Sequence, residues 1–241
     1  QQAQGLVLAG QVLVDGQKRD KAGAAVAAEA ELRLLAPPAP FVSRGGIKLA
    51  AALAGLAVDP GGRVCADIGA STGGFTDCLL QRGARRVYAL DTGRGQLHWR
   101  LRNDPRVVLR EQCNVRYLRP GDLPEPVSLI TMDVSFISAT LLVPALAPLL
   151  DRTGGELIVL VKPQFEAGKG RVGRGGIVRS AEVQQAAIER VRQALEAAGG
   201  AVRGPLPSPI TGAEGNQEFF LAATWRLAAA RAGPAESQAT A

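Results

Sequence analysis

Residues 63–76 read RVCADIGASTGGFT, and the rest of the predicted fold is organised around them. Its apolar start, residues 64–68, predicts a buried strand that ends in a carboxylate, Asp67, and a glycine-rich turn. A helix is predicted to begin at Gly73 or Gly74. Glycines let the backbone approach a ligand closely, and the first turn of a helix offers free N–H groups and a positive dipole end. The stretch therefore predicts a site for a nucleotide-like ligand, with a purely structural turn as the alternative.

A second predicted strand also ends in a carboxylate. Residues 86–91 read RVYALD and end in Asp91, 24 residues after Asp67, where a carboxylate suits the ribose hydroxyls of a bound nucleoside. The glycine spacing is not that of a dinucleotide fold. The segment DIGASTGGFT instead resembles motif I of S-adenosylmethionine-dependent methyltransferases, which implies S-adenosylmethionine as the cofactor. The predicted cofactor-binding residues are Asp67, Gly69, Ala70, Ser71, Thr72, Gly73, Gly74, Phe75, Asp91, Asn114 and Asp133.

Composition limits the partners and the compartment. The net charge of +6, with 28 Lys and Arg against 22 Asp and Glu, favours an anionic partner such as nucleic acid. Aromatic residues make up only 4% of the chain, which argues against a broad base-stacking platform. Cys65, Cys78, Cys113 and the single His98 have no metal-ligand spacing, so we predict no metal site and a structural His98. The cysteine pattern, and the lack of a leader or of a long apolar run, predict a cytoplasmic protein without membrane contact.

Residues 1–36 predict a separate small unit with a strand at 11–14, a hairpin turn at Asp15-Gly16 and a closing strand at 31–35. The segment AGQVLVDGQ and the basic residues after it resemble the C-terminal part of the S-four (alpha-L) RNA-binding module. Because the chain starts without Met and without the first helix of that module, we expect the module to be partial. The resemblance implies that Lys18, Arg19 and Lys21 contact RNA phosphates, whereas a small β-appendage with a solvated basic turn is the alternative.

A proline-rich linker at 37–40 is followed by alternating strands and helices through residues 41–226. This alternation favours a Rossmann-like, doubly wound and mostly parallel α/β sheet. The tail, 227–241, is low in complexity and is expected to be disordered. Further strands are predicted at 107–109, 127–133, 156–162 and 217–225, and an extended segment at 205–209. Helices are predicted after Ser43, with an apolar face of Ile47, Leu49, Leu53 and Leu56; at 139–150, kinked or broken by Pro144 and Pro148; and at 181–198 after Ser180.

Charged residues recur at the ends of the predicted strands. Asp67, Asp91, Asp133 and Lys162 all occupy such positions, and ligands of doubly wound sheets lie beyond the carboxyl ends of the strands. Random placement of charge would not select one edge of the sheet repeatedly. The pattern therefore predicts one cleft shared by these side chains.

The segment 164–179 is rich in glycine and basic residues. It predicts a mobile loop that clamps a phosphate backbone, and a merely solvated loop fits its composition equally well. The predicted RNA-binding residues of the larger domain are Arg44, Lys169, Arg171 and Arg174.

Lys48, Asp133, Lys162 and Glu218, in this order, resemble the Lys-Asp-Lys-Glu tetrad of the FtsJ-like ribose 2′-O-methyltransferases. The segments VSRGGIKL, DVSFIS, LVKPQFE and GNQEF extend the resemblance to the TlyA family, historically labelled hemolysin A. It implies a seven-stranded sheet with an antiparallel hairpin at its edge, and methylation of cytidine 2′-hydroxyls in ribosomal RNA or ribosomal subunits. We expect Lys162 to act as the base, with Asp133 and Glu218 orienting the two lysines and the hydroxyl.

Other interpretations stay open at this point. The four tetrad residues could be structural ion pairs in a non-catalytic RNA-binding protein of methyltransferase fold. The family label alone suggests a membrane-acting hemolysin, and a base or a small molecule could be the methyl acceptor. The intact glycine turn argues against the first interpretation, and the lack of a membrane-spanning run argues against the second.

Overall fold

A computed structural model of the chain describes residues 2–8, 10–35, 39–151, 153–168 and 170–225. The chain divides into two compact units, Gln1–Pro40 and Phe41–Ala241. The predicted tail at 227–241 and half of the predicted linker, residues 37 and 38, lie outside the described residues.

The smaller unit contains an antiparallel sheet of three strands in its described part, in the order β2-β1-β3. Asp15 and Gly16 join β1 to β2 with φ angles of 49° and 76°, the left-handed conformation that tight hairpin turns require. The predicted hairpin turn is therefore confirmed. The elements are α1 (Gln2–Leu8), β1 (Val12–Val14), β2 (Gln17–Arg19) and β3 (Leu32–Leu34).

The described part of the larger unit is built on a seven-stranded sheet with the order β6-β5-β4-β7-β8-β10-β9. The five strands from β4 to β8 run parallel, and β10 and β9 are antiparallel to their neighbours. The predicted doubly wound, mostly parallel sheet with an antiparallel hairpin at its edge is therefore confirmed. The strands are β4 (Val64–Ile68), β5 (Arg86–Leu90), β6 (Val107–Arg110), β7 (Leu129–Met132), β8 (Gly155–Val161), β9 (Ala201–Pro207) and β10 (Phe219–Trp225).

Helices cover both faces of this sheet. Side chains of β4 alternate between the two faces, so that Val64 and Ile68 join one apolar cluster and Cys65 joins the other. The first cluster includes residues of α5 and α7, and the second includes residues of α2 and α3. The helices are α2 (Arg44–Gly55), α3 (Gly74–Gln81), α4 (Trp99–Arg102), α5 (Val143–Leu146), α6 (Pro163–Glu166) and α7 (Ala181–Ala197).

Several predicted elements differ from the structure in detail. Ile47 is 39% exposed, so the apolar face of α2 is formed instead by Leu49, Ala52 and Leu53. The predicted helix at 139–150 is broken into short helical turns, as its two prolines indicated. The predicted loop at 164–179 begins within α6, and the extended segment near Pro205 is part of β9.

His98 has the structural role predicted for it, because it caps α4 by accepting a hydrogen bond from the Arg100 N–H at Nδ1 (3.2 Å). Among the described residues, no helix has the length and hydropathy needed to cross a membrane, and no group of three or more metal-ligating side chains is found.

Candidate active site

The glycine-rich turn between β4 and α3 brings backbone to a cleft at the carboxyl edge of the sheet. Gly69 has a φ angle of 82°, and a side chain there would collide with the carbonyl oxygen of Asp133. Only glycine combines this conformation with this close approach. Gly73 has a φ angle of 99° and precedes α3, where a side chain would collide with Leu97 and Leu101. The turn is therefore held tightly against its neighbours.

Two adjoining cavities open around this turn in the described part of the domain. They share Gly69, Ser71 and Asp133. The larger, of about 360 Å³, has the size of a small-ligand pocket. We call it the cofactor cavity, and its remaining walls include Asp91, Asn114, Val134, Ser135 and Phe136. We call the other the lysine cavity, and its walls include Ser43, Arg44, Lys48, Ala70, Thr72, Gly74, Phe75 and Thr211.

Asp91 follows β5 and fixes the wall of the cofactor cavity. Its carboxylate accepts hydrogen bonds from the backbone N–H groups of Ser71 (2.8 Å) and Gly93 (2.6 Å). A carboxylate has about four acceptor positions, so two more can serve the hydroxyls of a ribose. Asn114 lies on the same cavity, with its side chain capping a short helical turn through the Arg116 N–H (3.3 Å).

Asp67 lies deeper than the sequence suggested. It is the penultimate residue of β4, is fully buried and lines neither cavity. Thr76 donates a hydrogen bond to its carboxyl group (2.7 Å), as does Thr131 (3.3 Å). Burial, the largest cause, raises the pKa of this carboxyl to about 7, and the hydroxyl donors oppose the shift. Asp67 therefore ties the strand to the start of α3 beneath the turn, and the expectation that it lies at a strand tip is wrong.

Two ion pairs lie at the same edge of the sheet in the described residues. Nζ of Lys48, on α2, contacts a carboxylate oxygen of Glu218 at 2.5 Å, and both side chains are buried. Nζ of Lys162 contacts Oδ1 of Asp133 at 2.7 Å and donates a hydrogen bond to Oγ of Ser135 (2.8 Å). The geometry therefore groups the four tetrad positions into two lysine–carboxylate pairs.

Strand register places these two pairs side by side. Phe219 of β10 lies opposite Val161 of β8. Glu218 immediately precedes β10 and Lys162 immediately follows β8, so the two residues occupy adjacent positions of these antiparallel strands. Asp133 follows β7, which pairs with the other side of β8. The four side chains thus come from three adjacent strands and one covering helix, and Lys48 and Asp133 line the same cavity.

Oδ1 of Asp133 is buried and lies 2.7 Å from Nζ of Lys162, so the lysine satisfies this oxygen by a charge-assisted contact. Asp133 also lines both cavities. The glycine turn and the polar groups on the two cavity walls together suit a polar ligand.

Some residues at the cleft had no role predicted from sequence. Phe136 is 88% exposed, has a φ angle of 63° and lines the cofactor cavity. Such a conformation is rare for a bulky residue and is typical of functional sites. Ser135 and Phe136 lie inside the DVSFIS segment. Their position close to Asp133 in the sequence is the signal from which a role at the cleft could have been predicted.

The predicted RNA-binding residues are distributed over both units. Arg44 lines the lysine cavity and donates a hydrogen bond to the carbonyl of Thr211 (2.9 Å). Lys18, Arg19, Lys21 and Arg171 are exposed. Lys169 and the side chain of Arg174 lie outside the described residues.

Comparisons with known proteins agree with this architecture. The profile of the FtsJ-like methyltransferase family matches residues 41–225. The 16S/23S rRNA (cytidine-2'-O)-methyltransferase TlyA of Mycobacterium tuberculosis is 44% identical over 222 residues, covering 92% of this chain and 82% of that protein. Hemolysin A of Brachyspira hyodysenteriae is 38% identical over 222 residues, covering 90% of each.

Solved structures show the same likeness. A structure from Streptococcus thermophilus, also named a hemolysin, has 43% identity and a TM-score of 0.76, covering 97% of this chain and 86% of that one. Fibrillarin from Aeropyrum pernix, solved with S-adenosyl-L-methionine, shares the fold at 17% identity and a TM-score of 0.51, covering 74% of this chain and 76% of that one.

Proposed function

Because the chain belongs to the FtsJ-like methyltransferase family, we propose that it transfers a methyl group from S-adenosylmethionine to the 2′-hydroxyl of a cytidine in ribosomal RNA. The observation that carries the proposal is the pair of lysine–carboxylate contacts beside the glycine-rich turn. The relative named TlyA, which is 44% identical to this chain over 222 residues, is an enzyme of this specificity by name.

The cofactor cavity offers suitable partners for S-adenosylmethionine, which supplies an electrophilic methyl group when it is bound. Asp91 retains acceptor capacity for ribose hydroxyls. The backbone at Gly69 can approach the ligand because no side chain intervenes. Asn114 offers a further polar group in the same cavity.

With its amine in the neutral form, Lys162 would take the proton from the ribose hydroxyl as the oxygen bonds to the methyl carbon. The bond between that carbon and sulfur would break in the same step, and S-adenosylhomocysteine would leave. A hydroxyl is a weak nucleophile at neutral pH, so a positioned base accelerates this step. Asp133 would stabilise the ammonium ion that the proton transfer forms, since its carboxylate is 2.7 Å away. In-line placement of the hydroxyl and the methyl group supplies a further share of the acceleration.

Lys48 and Glu218 would hold the hydroxyl from the lysine cavity. Lys48 lines that cavity, and Glu218 keeps its ammonium group in place at 2.5 Å. An ammonium group near the ribose also suits the adjacent phosphate of an RNA strand. The two pairs would thus divide their roles between proton removal and positioning.

RNA would lie across the rim of the cleft. Arg44 and Arg171 are available for phosphate contacts, and the exposed ring of Phe136 offers a face on which an unpaired base can stack. In the smaller unit, Lys18, Arg19 and Lys21 would add contacts to RNA phosphates, which do not depend on the base sequence. Ribosomal subunits are the proposed form in which the RNA is presented.

Transfer of labelled methyl groups tests this proposal. The purified chain is incubated with tritiated S-adenosylmethionine and ribosomal subunits that lack the modification, and the RNA is hydrolysed with alkali. A 2′-O-methyl group protects the adjacent phosphodiester, so the label should appear in alkali-resistant dinucleotides that contain cytidine. Label in mononucleotides would indicate base methylation, and no label in RNA or subunits would refute the proposal.

A further inference from the structure

We propose that Glu166 is a positioning residue of the methyl-transfer site, which holds the loop bearing Asp133 against the segment bearing Lys162. We call residues 133–139 the aspartate loop. The inference rests on the proposed function, because it assigns a role in that reaction. It concerns a carboxylate that touches neither cavity and has no part in the tetrad.

Glu166 lies at the end of α6 and is only 2% exposed. Its carboxylate accepts a hydrogen bond from Oγ of Ser138 (2.5 Å) and another from the backbone N–H of Ala139 (2.7 Å). Both donors belong to the far end of the aspartate loop, 27 and 28 residues away in the chain. A carboxylate that satisfies two donors at once in the interior makes strong, geometrically specific contacts.

The near end of the aspartate loop is held by the same short segment of chain. Lys162 contacts Asp133 and Ser135 there. Between the two anchors, the rings of Phe136 and Phe165 have centroids 5.2 Å apart. Residues 162–166 therefore contact the loop at its start, its middle and its end.

The segment that carries Glu166 is itself fixed to the body of the domain. Nη1 of Arg190, on α7, donates a hydrogen bond to the backbone carbonyl of Glu166 (2.6 Å). Since α6 is a single turn of four residues that directly follows Lys162, the position of Glu166 bears on that of Lys162. A helix this short has little stability of its own and depends on such contacts.

Loss of the Glu166 anchor would release a loop that holds an unfavourable conformation. Phe136 keeps a left-handed backbone, which the surrounding contacts must enforce. When the far end of the loop is free, Asp133 and the exposed ring of Phe136 can leave the positions that the reaction needs. A displacement of about 1 Å at such a site can cost roughly 100-fold in rate.

The test compares Glu166→Ala and Glu166→Gln with the matched control Glu156→Ala. Glu156 lies at the opposite end of β8 and pairs with Arg63 (2.7 Å) and Arg203 (2.6 Å). Turnover of unmodified ribosomal subunits is measured well below the melting temperature and is normalised to the folded fraction. We expect Glu166→Ala to lower kcat about 10- to 100-fold, with the KM for S-adenosylmethionine changed less than about threefold.

The conservative variant separates positioning from general stability. Glu166→Gln keeps an acceptor for the Ala139 N–H and a polar partner for Ser138, so its kcat should stay within about threefold of the natural chain. Glu156→Ala should lower the melting temperature and leave kcat unchanged. Glu166→Ala with natural kcat, or with a loss that Glu156→Ala reproduces, would overturn the inference.

Ser138→Ala provides a second measurement, which still tests the inference if Glu166→Ala does not fold. It removes the same hydrogen bond from the loop side and should lower kcat in the same direction, whereas an unchanged kcat would contradict the inference. The double variant should be little slower than Glu166→Ala alone, since the hydrogen bond between Ser138 and Glu166 is already lost in that variant. If the natural chain methylates no RNA, the proposed function fails. If the natural chain is active and the Glu166 and Ser138 variants have the same kcat, only the role of Glu166 is refuted.

Discussion

Replacement of Lys162 is the most direct test of the chemistry. Lys162→Met keeps the length of the side chain and removes its amine, which contacts Asp133 at 2.7 Å and Ser135 at 2.8 Å. A positioned base contributes about 100- to 10,000-fold, or roughly 3–5.5 kcal/mol of barrier. We therefore expect kcat to fall by at least about 100-fold.

The same replacement should have a limited effect on stability. The side chain of Asp133 is 22% exposed, so its carboxylate can be partly hydrated once its partner is lost. A cost of about 1–3 kcal/mol is typical of a polar group deprived of its partner, which lowers the melting temperature of a chain of this size by roughly 2–12 °C. Binding of S-adenosylmethionine, measured by calorimetry, should change less than about threefold, because Lys162 does not line the cofactor cavity.

Lys162→Arg distinguishes a base from a structural cation. A guanidinium group can still pair with Asp133, but it does not give up its proton in proteins. Single-turnover methylation of ribosomal subunits, with labelled S-adenosylmethionine in excess, should show both variants to be defective. Natural turnover in Lys162→Arg would refute proton removal by this residue, and natural turnover in Lys162→Met would remove it from the reaction altogether.

The other predictions concern the cofactor, the second ion pair and the buried carboxyl. Asp91→Asn should weaken S-adenosylmethionine binding about 10- to 100-fold by calorimetry, because an amide offers one acceptor oxygen where the carboxylate has two; unchanged affinity would contradict its role. Gly69→Ala should lower both the melting temperature and cofactor affinity, since its φ angle is 82° and a side chain would strike a backbone carbonyl. Glu218→Gln should reduce kcat more than it reduces cofactor affinity. A larger loss of cofactor affinity than of kcat would indicate that the Lys48–Glu218 pair acts on the cofactor and not on the ribose hydroxyl. The raised pKa of Asp67, about 7, keeps it mostly protonated in the folded chain below pH 7, whereas the unfolded chain ionises it above about pH 4. The free energy of unfolding should therefore decline by up to about 4 kcal/mol from pH 4 to pH 7, and Asp67→Asn should remove that part of the slope in denaturant titrations.

The elements around the glycine turn could be predicted from sequence because local signals agree there. The apolar run at 64–68 matches β4 to the residue, and the glycines mark the start of α3 to within one residue. Apolar strand residues, turn glycines and a following helix are all encoded within about 20 positions. Lys162 was placed correctly at a strand end for the same reason.

Features that depend on distant partners could not be predicted in the same way. Glu166 is buried because Ser138 and Ala139 supply donors from another loop, and no local pattern reports that pairing. The depth of Asp67 depends on a hydroxyl from a neighbouring strand, Thr131. A charged residue within a strand and one at its tip look alike in sequence.

The strand β9 was predicted only in part, as an extended segment at 205–209, for a different physical reason. It contains two prolines, at 205 and 207, and proline cannot donate a hydrogen bond to a central strand. β9 forms the edge of the sheet, with β10 as its partner there, so the missing donors are tolerated on its free side. The sequence showed an extended segment, and only the sheet order reveals why it can pair.

The contact between Lys48 and Glu218 spans 170 residues, which has a consequence for synthesis. A nascent chain that has already formed its first strands on the ribosome still exposes a lone lysine where the reaction would occur. The carboxylate that neutralises it leaves the exit tunnel only after almost the whole domain has been translated. Translation products that stop before the last strand would therefore be released beside abundant RNA without a complete set of reacting groups.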